Sequence, residues 1–104
     1  MASEGQRARN RGKSWEREVA KDLGTTRTGP TGYGDPDVKF DPIAIECKSM
    51  SRISLRKDHL EQASKNAKGK PWVLLLKEVG TGVKLAVMPY DQWKEYALWL
   101  QSKN

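Results

Sequence analysis

Trp72, Val73, Leu74, Leu75 and Leu76 follow one another with no polar residue between them. Successive side chains of a strand point to opposite faces, so this run has no side to give to water. It calls for a sheet covered on both faces. The rest of the chain supplies helices for the cover. Trp15, Val19 and Leu23 recur at i, i+4 and i+8 and mark one helical face. That helix begins at Ser14, with Arg17 where a complete capping box has Glu, and Gly24 ends it. A second helix is expected over residues 55–68, with Leu60, Ala63 and Ala67 as its apolar stripe and Gly69 as its stop. A third opens at Pro89 and runs to Gln101.

Strands are expected over residues 37–40, 43–48, 72–76 and 83–88. Asp41-Pro42 turns the first into the second, and Gly80-Thr81-Gly82 turns the third into the fourth. The order is α-β-β-α-β-β-α, a mixed sheet flanked by helices, with one more short strand around residues 25–28. The whole reads as a single α/β domain over residues 14–104. Before it, residues 1–13 read as a flexible basic arm carrying Arg7, Arg9, Arg11 and Lys13, loosened by Gly5 and Gly12.

Charge and rare residues narrow the function. Nineteen Lys and Arg against thirteen Asp and Glu leave a net charge of +6 on 104 residues. A basic domain this small points to an anionic partner, nucleic acid first. One cysteine excludes an internal disulfide and a multi-cysteine zinc site. One histidine excludes HExxH zinc hydrolases and His-Asn-His nucleases, and a Ser-His-Asp triad would depend on His59 alone. The Gly-rich stretch at residues 29–34 has no Walker lysine, so no nucleotide cofactor is expected. No apolar run approaches the roughly 20 residues of a membrane span. The N-terminus lacks the apolar stretch of a secretory signal, so the expected compartment is the cytoplasm.

Glu46-Cys47-Lys48 carries the chemistry. On the strand over residues 43–48, Ala44, Glu46 and Lys48 share one face, and Ile43, Ile45 and Cys47 the other. A carboxylate and an ammonium then stand side by side above the sheet. Asp37, on the preceding strand, brings a second carboxylate to that face. Two carboxylates, a strand carbonyl and waters make a hard-oxygen site suited to Mg²⁺. A lysine there orients a water or helps deprotonate it, and a metal stabilises charge building on a phosphate. Taken alone, Glu-x-Lys occurs about as often as chance provides. Asp37-Val38-Lys39 is a rival, but it would need an acid in residues 25–34, where there is none. Lys39 therefore goes to the surface or the DNA backbone. Cys47 is expected in the core, and His59, beside Asp58, on a solvated helix face.

The order of the pieces adds specificity. Gly34-Asp35-Pro36-Asp37 opens a strand nine residues before Glu46, and Arg11-Gly-Lys-Ser-Trp-Glu-Arg-Glu-Val19 precedes it. The Gly/Thr loop lies between them, and a helix bearing Gln62 follows Ile45-Glu46-Cys47-Lys48. Over residues 11–76 the chain resembles the PD-(D/E)xK nuclease superfamily, in particular the small archaeal and phage Holliday junction resolvases. The resemblance implies a restriction-endonuclease-like core and Mg²⁺-dependent hydrolysis of DNA phosphodiesters, leaving 5′-phosphate and 3′-hydroxyl ends. It implies Asp37 and Glu46 as metal ligands, with the backbone carbonyl of Cys47, and Lys48 as the catalytic lysine. Glu16, in preference to Glu18, would join the metal directly or through water. Mn²⁺ would substitute for Mg²⁺. Thr28 and Thr31 are the hydroxyl residues near the place where the resolvases usually carry Ser.

Branched or duplex DNA is the expected partner. Its contacts are assigned to Arg7, Arg9, Arg11, Lys13, Arg27, Thr28, Thr31, Tyr33, Arg52, Arg56 and Gln62. Alternatives are a flap, nicking or restriction-like nuclease of the same superfamily, or a non-catalytic DNA-binding module with this fold. In the last helix Trp93, Tyr96, Ala97 and Leu100 form a stripe that can pack on the sheet. Leu98 and Trp99 fall outside it and need another cover, which makes a homodimer the expected assembly.

Overall fold

The computed structural model describes residues 3–29 and 34–104. It is an α/β fold in the order α1 (Glu4–Asp22), β1 (Ala44–Met50), α2 (Lys57–Ala67), β2 (Trp72–Glu78), β3 (Lys84–Val87) and α3 (Tyr90–Ser102). The apolar run becomes the central strand of a three-stranded mixed sheet ordered β1-β2-β3. β1 pairs with β2 in parallel, Glu46 opposite Leu74, and β3 returns antiparallel, Ala86 opposite Leu75. A parallel pair needs a crossover, and α2 provides it.

Helices cover both faces. Trp15, Val19 and Ala20 of α1 form a buried cluster with Ile45, Cys47 and Val73. Alternation turns Ala44, Glu46, Leu74 and Leu76 to the other face, where α2 buries Ala63 and Ala67. The Trp15 indole donates to the Leu75 carbonyl at 3.0 Å, so its one polar atom is satisfied inside the core. Lys77 and Lys84 stand over the same ring, 5.4 and 5.8 Å from its centroid, and both pair with Glu18. These interactions fasten the C-terminal half of α1 to β2 and to β3.

Three elements differ from expectation. First, the helix expected from Ser14 begins at Glu4, so described residues 4–13 are helical and do not form a flexible arm. Ser3 caps it by accepting from the Gln6 N–H at 3.1 Å, and Glu4 sits favourably in the first turn. Arg, Gln, Ala and Lys are good helix formers and outweigh Gly5 and Gly12, which cost about 1 kcal/mol each. Second, residues 37–40 form no strand. Val38 alone bridges to Ile45 and to Arg27, and residues 25–28 contribute only that bridge. The two-residue turn brings Asp37 beside β1, where its N–H bonds the Ile45 carbonyl at 2.8 Å. Its side chain, rather than a backbone carbonyl, then takes the Cys47 N–H at 2.8 Å, and the ladder ends there. Third, no residue of α3 is buried. Trp93 and Leu100 remain 51% and 43% exposed, so the expected stripe does not pack on the sheet. Gln92 holds the helix instead: its Oε1 accepts from the Trp72 N–H and its Nε2 donates to the Trp72 carbonyl. No helix among the described residues is long and apolar enough to cross a membrane.

Candidate active site at the open edge of β1

β1 has one edge paired with β2 and one edge facing the Asp37 segment. Asp37 bonds the carbonyl of Ile45 and the N–H of Cys47, so both residues turn their backbone polar groups to that second edge. N–H and C=O of one strand residue point the same way, which places the Cys47 carbonyl on the Asp37 side as well.

Glu46 leaves the strand towards α2 and is only 1% exposed. Asn66, in the last turn of α2, donates from Nδ2 to Glu46 Oε1 at 2.8 Å. Glu46 Oε2 is buried and has no hydrogen-bond partner among the described residues. Burial pushes the Glu46 carboxyl up to about 7, and Asp37 adds to the shift through its negative charge and through a side-chain contact that favours the protonated carboxyl. The Asn66 bond and the Lys48 charge act in the opposite direction.

Glu16 approaches from α1. Its carboxyl is also raised, by burial first and by Asp37 second, against the opposing pull of Arg27 and Lys48. Arg27 Nε lies 3.5 Å from Glu16 Oε1. Lys48 is half-buried and forms no ion pair among the described residues. At the centre of the group, the Cys47 thiol is pushed up by burial and then by Asp37, Glu16 and Glu46. Its side chain itself sits in the core. Separate pieces of chain, α1, the Asp37 segment and β1, thus bring Glu16 and Glu46 each within electrostatic reach of Asp37 and Lys48.

Glu18, the other acid of the first helix, is elsewhere. It pairs with Lys77 at 2.7 Å and with Lys84, and these bonds hold its carboxyl below the usual range. Among the described residues no three His, Cys, Asp or Glu side chains converge as a ready metal cage. Mg²⁺ does not need one, because it keeps several waters and takes one or two carboxylates together with substrate phosphate. The orphaned Glu46 Oε2, Asp37 and the Cys47 carbonyl are hard-oxygen donors of that kind, so the residues present fit the ion. A cavity of about 230 Å³ lies along the same segment, lined by Thr28, Pro36, Val38, Phe40 and Ile43, but it includes neither Asp37 nor Glu46.

No protein-family model, curated protein or solved structure matches the chain significantly. The geometry alone therefore speaks for the remaining residues. Arg7, Arg9, Arg11 and Lys13 lie on the N-terminal half of α1. Arg7 pairs there with Glu4 at 3.6 Å, an exposed contact that contributes little to stability. Arg27 is held against Glu16, not presented free on the surface. The Thr28 N–H donates to the Asp37 carbonyl at 2.9 Å, so Thr28 braces the segment that carries the site acid. Thr31 and Tyr33 lie outside the described residues. Arg52 is exposed, and Arg56 forks onto Asp58 at 3.0 and 3.1 Å. Gln62 is exposed, one turn before Asn66 on the same face of α2.

Two residues enter that the sequence did not single out for the site. Asn66 holds Glu46. His59, expected in solvent, is half-buried, its Nδ1 is buried without a partner among the described residues, and burial followed by the Lys48 charge lowers its pKa. Their helical spacing from Gln62, at i−3 and i+4, was the available sign that this face of α2 turns to the sheet.

Proposed function

We propose that the chain is a Mg²⁺-dependent endonuclease of the PD-(D/E)xK kind that acts on DNA, with four-way junctions as its preferred substrate and a homodimer as its working form. The observation that carries this reading is the buried Glu46 oxygen left without a partner among the described residues, on a strand whose next residue is held by Asp37 and with Lys48 two residues on.

Asp37, Glu46, the Cys47 carbonyl and, directly or through water, Glu16 would hold Mg²⁺ or Mn²⁺. The ion when bound supplies the positive charge that activates water and stabilises the phosphate in the transition state. Lys48 orients the attacking water and faces the charge that builds on the phosphate. Asp37 fixes the strand edge through its bond to the Cys47 N–H, which sets the direction of the neighbouring carbonyl. Arg27 offsets the charge of Glu16, which lets two acids of one site approach each other. The positive surface, with a net charge of +6, attracts the phosphate backbone without reading sequence.

The test is incubation with four-way junction, flap, splayed-arm and linear duplex DNA, in Mg²⁺ and in EDTA. Metal-dependent cutting of the junction is expected. Glu46→Gln, Asp37→Asn and Lys48→Ala should each lower the cleavage rate by roughly 10²-fold or more while DNA binding in EDTA stays near wild type. Glu46→Gln cutting at the wild-type rate would remove the site assignment. Preference for a flap or duplex would keep the chemistry and replace the substrate. Binding with no cutting under any metal would leave a DNA-binding module.

A further inference from the structure

Glu46 is a buried carboxylate with unequal oxygens. Oε1 is taken by Asn66 at 2.8 Å, and Oε2 has no partner among the described residues. A free carboxylate on a strand rotates about its last torsion and offers either oxygen. A single donor fixed to one of them ends that freedom. Asn66 is well placed to be that donor. It sits in the last turn of α2, between Ala63 and Ala67, which are both fully or almost fully buried against the sheet. The helix therefore cannot shift without opening the core, and Asn66 is itself half-buried. Its amide is neutral, so it holds the carboxylate without adding a charge that would compete with a cation.

We infer that Asn66 is a positioning residue of the proposed metal site: by holding Oε1 of Glu46 it presents Oε2 to the divalent cation. The inference rests on the nuclease reading and adds to it a residue outside the acids and the lysine. Asn66 touches neither the cation nor the DNA; it acts through Glu46. Partners of metal ligands commonly matter in this way, and losing one costs roughly 10- to 100-fold in metal affinity or activity. The bland alternative is that the bond only satisfies a buried oxygen, in which case its loss destabilises the fold and leaves metal uptake alone.

The experiment uses the full chain and calorimetric titration with Mg²⁺ in the absence of DNA, alongside junction cleavage. Asn66→Leu keeps the size and removes the donor. Asn66→Gln restores a donor on a longer arm. Asn66→Leu should weaken Mg²⁺ binding roughly tenfold or more, and cleavage should recover as Mg²⁺ is raised. Asn66→Gln should regain part of the affinity. In a Glu46→Ala background the same Asn66→Leu change should have no further effect on Mg²⁺ binding, because a residue that acts through another falls silent when that other is gone. Circular dichroism confirms that each variant is folded; if Asn66→Leu fails to fold, Asn66→Ala, which also lacks the donor and adds no charge, takes its place. Mg²⁺ binding at wild-type strength in the folded variant overturns the role of Asn66 and leaves the nuclease reading standing. A wild-type chain that neither binds Mg²⁺ nor cuts DNA overturns both.

Discussion

Glu46 brings an ionisable group into a place where water scarcely reaches, and the fold bears the cost above neutral pH. An unfolded glutamate loses its proton near 4.3; in the folded chain burial raises Glu46 to about 7. Between those values the folded chain holds a proton that the unfolded chain has already lost. Stability from this group is therefore complete below about pH 4.3 and declines as pH rises through about 7. Glu46→Gln keeps an oxygen for Asn66 and cannot ionise. In EDTA the variant should melt a few degrees above wild type at about pH 8, and the gap should close at about pH 4. Thermal denaturation at the two pH values checks it, and a variant that melts at or below wild type at pH 8 would show that the carboxylate is not held at a cost. The shared face of Glu46 and Lys48 follows from strand alternation, whereas Asp37, expected there from a strand of its own, reaches β1 through its side-chain bond to the Cys47 N–H. Asn66 and His59 were not legible in the sequence. Asn66 lies 20 residues from Glu46, and only the crossover of α2 between parallel strands brings them together.

α1 shows where periodicity stops informing. Trp15, Val19 and Leu23 reveal its second half because that half has a core to face. Between Glu4 and Ser14 the only apolar side chain is Ala8, so an apolar pattern has nothing to record and the segment reads as an arm. Caps and propensity build the helix there instead. The consequence is that Arg7, Arg9, Arg11 and Lys13 are held in fixed relation to Glu16 on the same helix. Deleting residues 1–13 should lower the helical circular dichroism signal at 222 nm and weaken DNA binding similarly for all sequences. It should also flatten the salt dependence, by up to about 0.9 in log–log slope for each phosphate that the shortened chain no longer neutralises. An unchanged helical signal would return the segment to a disordered arm, and an unchanged slope would take it off the DNA. The segment at residues 37–40 departs from its pattern for a related reason: a two-residue turn and strand-like alternation suggest a ladder. The Asp37 side chain replaces a backbone partner after a single bridge, which pattern alone does not reveal.

The assembly of the whole chain turns on α3, which is tied to the sheet chiefly through Gln92. Tyr90, Trp93, Tyr96, Leu98, Trp99 and Leu100 are each 43–69% exposed. Taking an aromatic residue at about 150–250 Å², they leave roughly 700 Å² of largely apolar side chain in water. The largest apolar patch of an ordinary monomer is about 300–600 Å², and one side of a standard interface is about 800 Å². Tyr96 and Trp99 also border an open groove of about 400 Å³ with Ile43, Pro71 and Met88. The helix thus turns Tyr96 and Trp99 to the groove, so that of the expected stripe of Trp93, Tyr96, Ala97 and Leu100 only Tyr96 borders it, and space is left beneath. Helical period alone could not set this rotation, because α3 is apolar on most sides and Gln92, a polar residue, chooses the angle. A second copy that brings the same helix to the same groove covers both surfaces by one two-fold operation. On the proposed nuclease reading it also supplies the second active site that two symmetric nicks in a junction require. The expected outcome is a homodimer at micromolar concentration without DNA. Trp99→Lys should weaken it at least tenfold by placing a charge in the groove, with the fold of each chain retained because Trp99 is 53% exposed in the single chain. Sedimentation or light scattering decides it: a mass near 11.7 kDa for the wild-type chain would sink the dimer and leave the proposed nuclease site, which lies on the opposite edge strand from β3, to act one strand at a time.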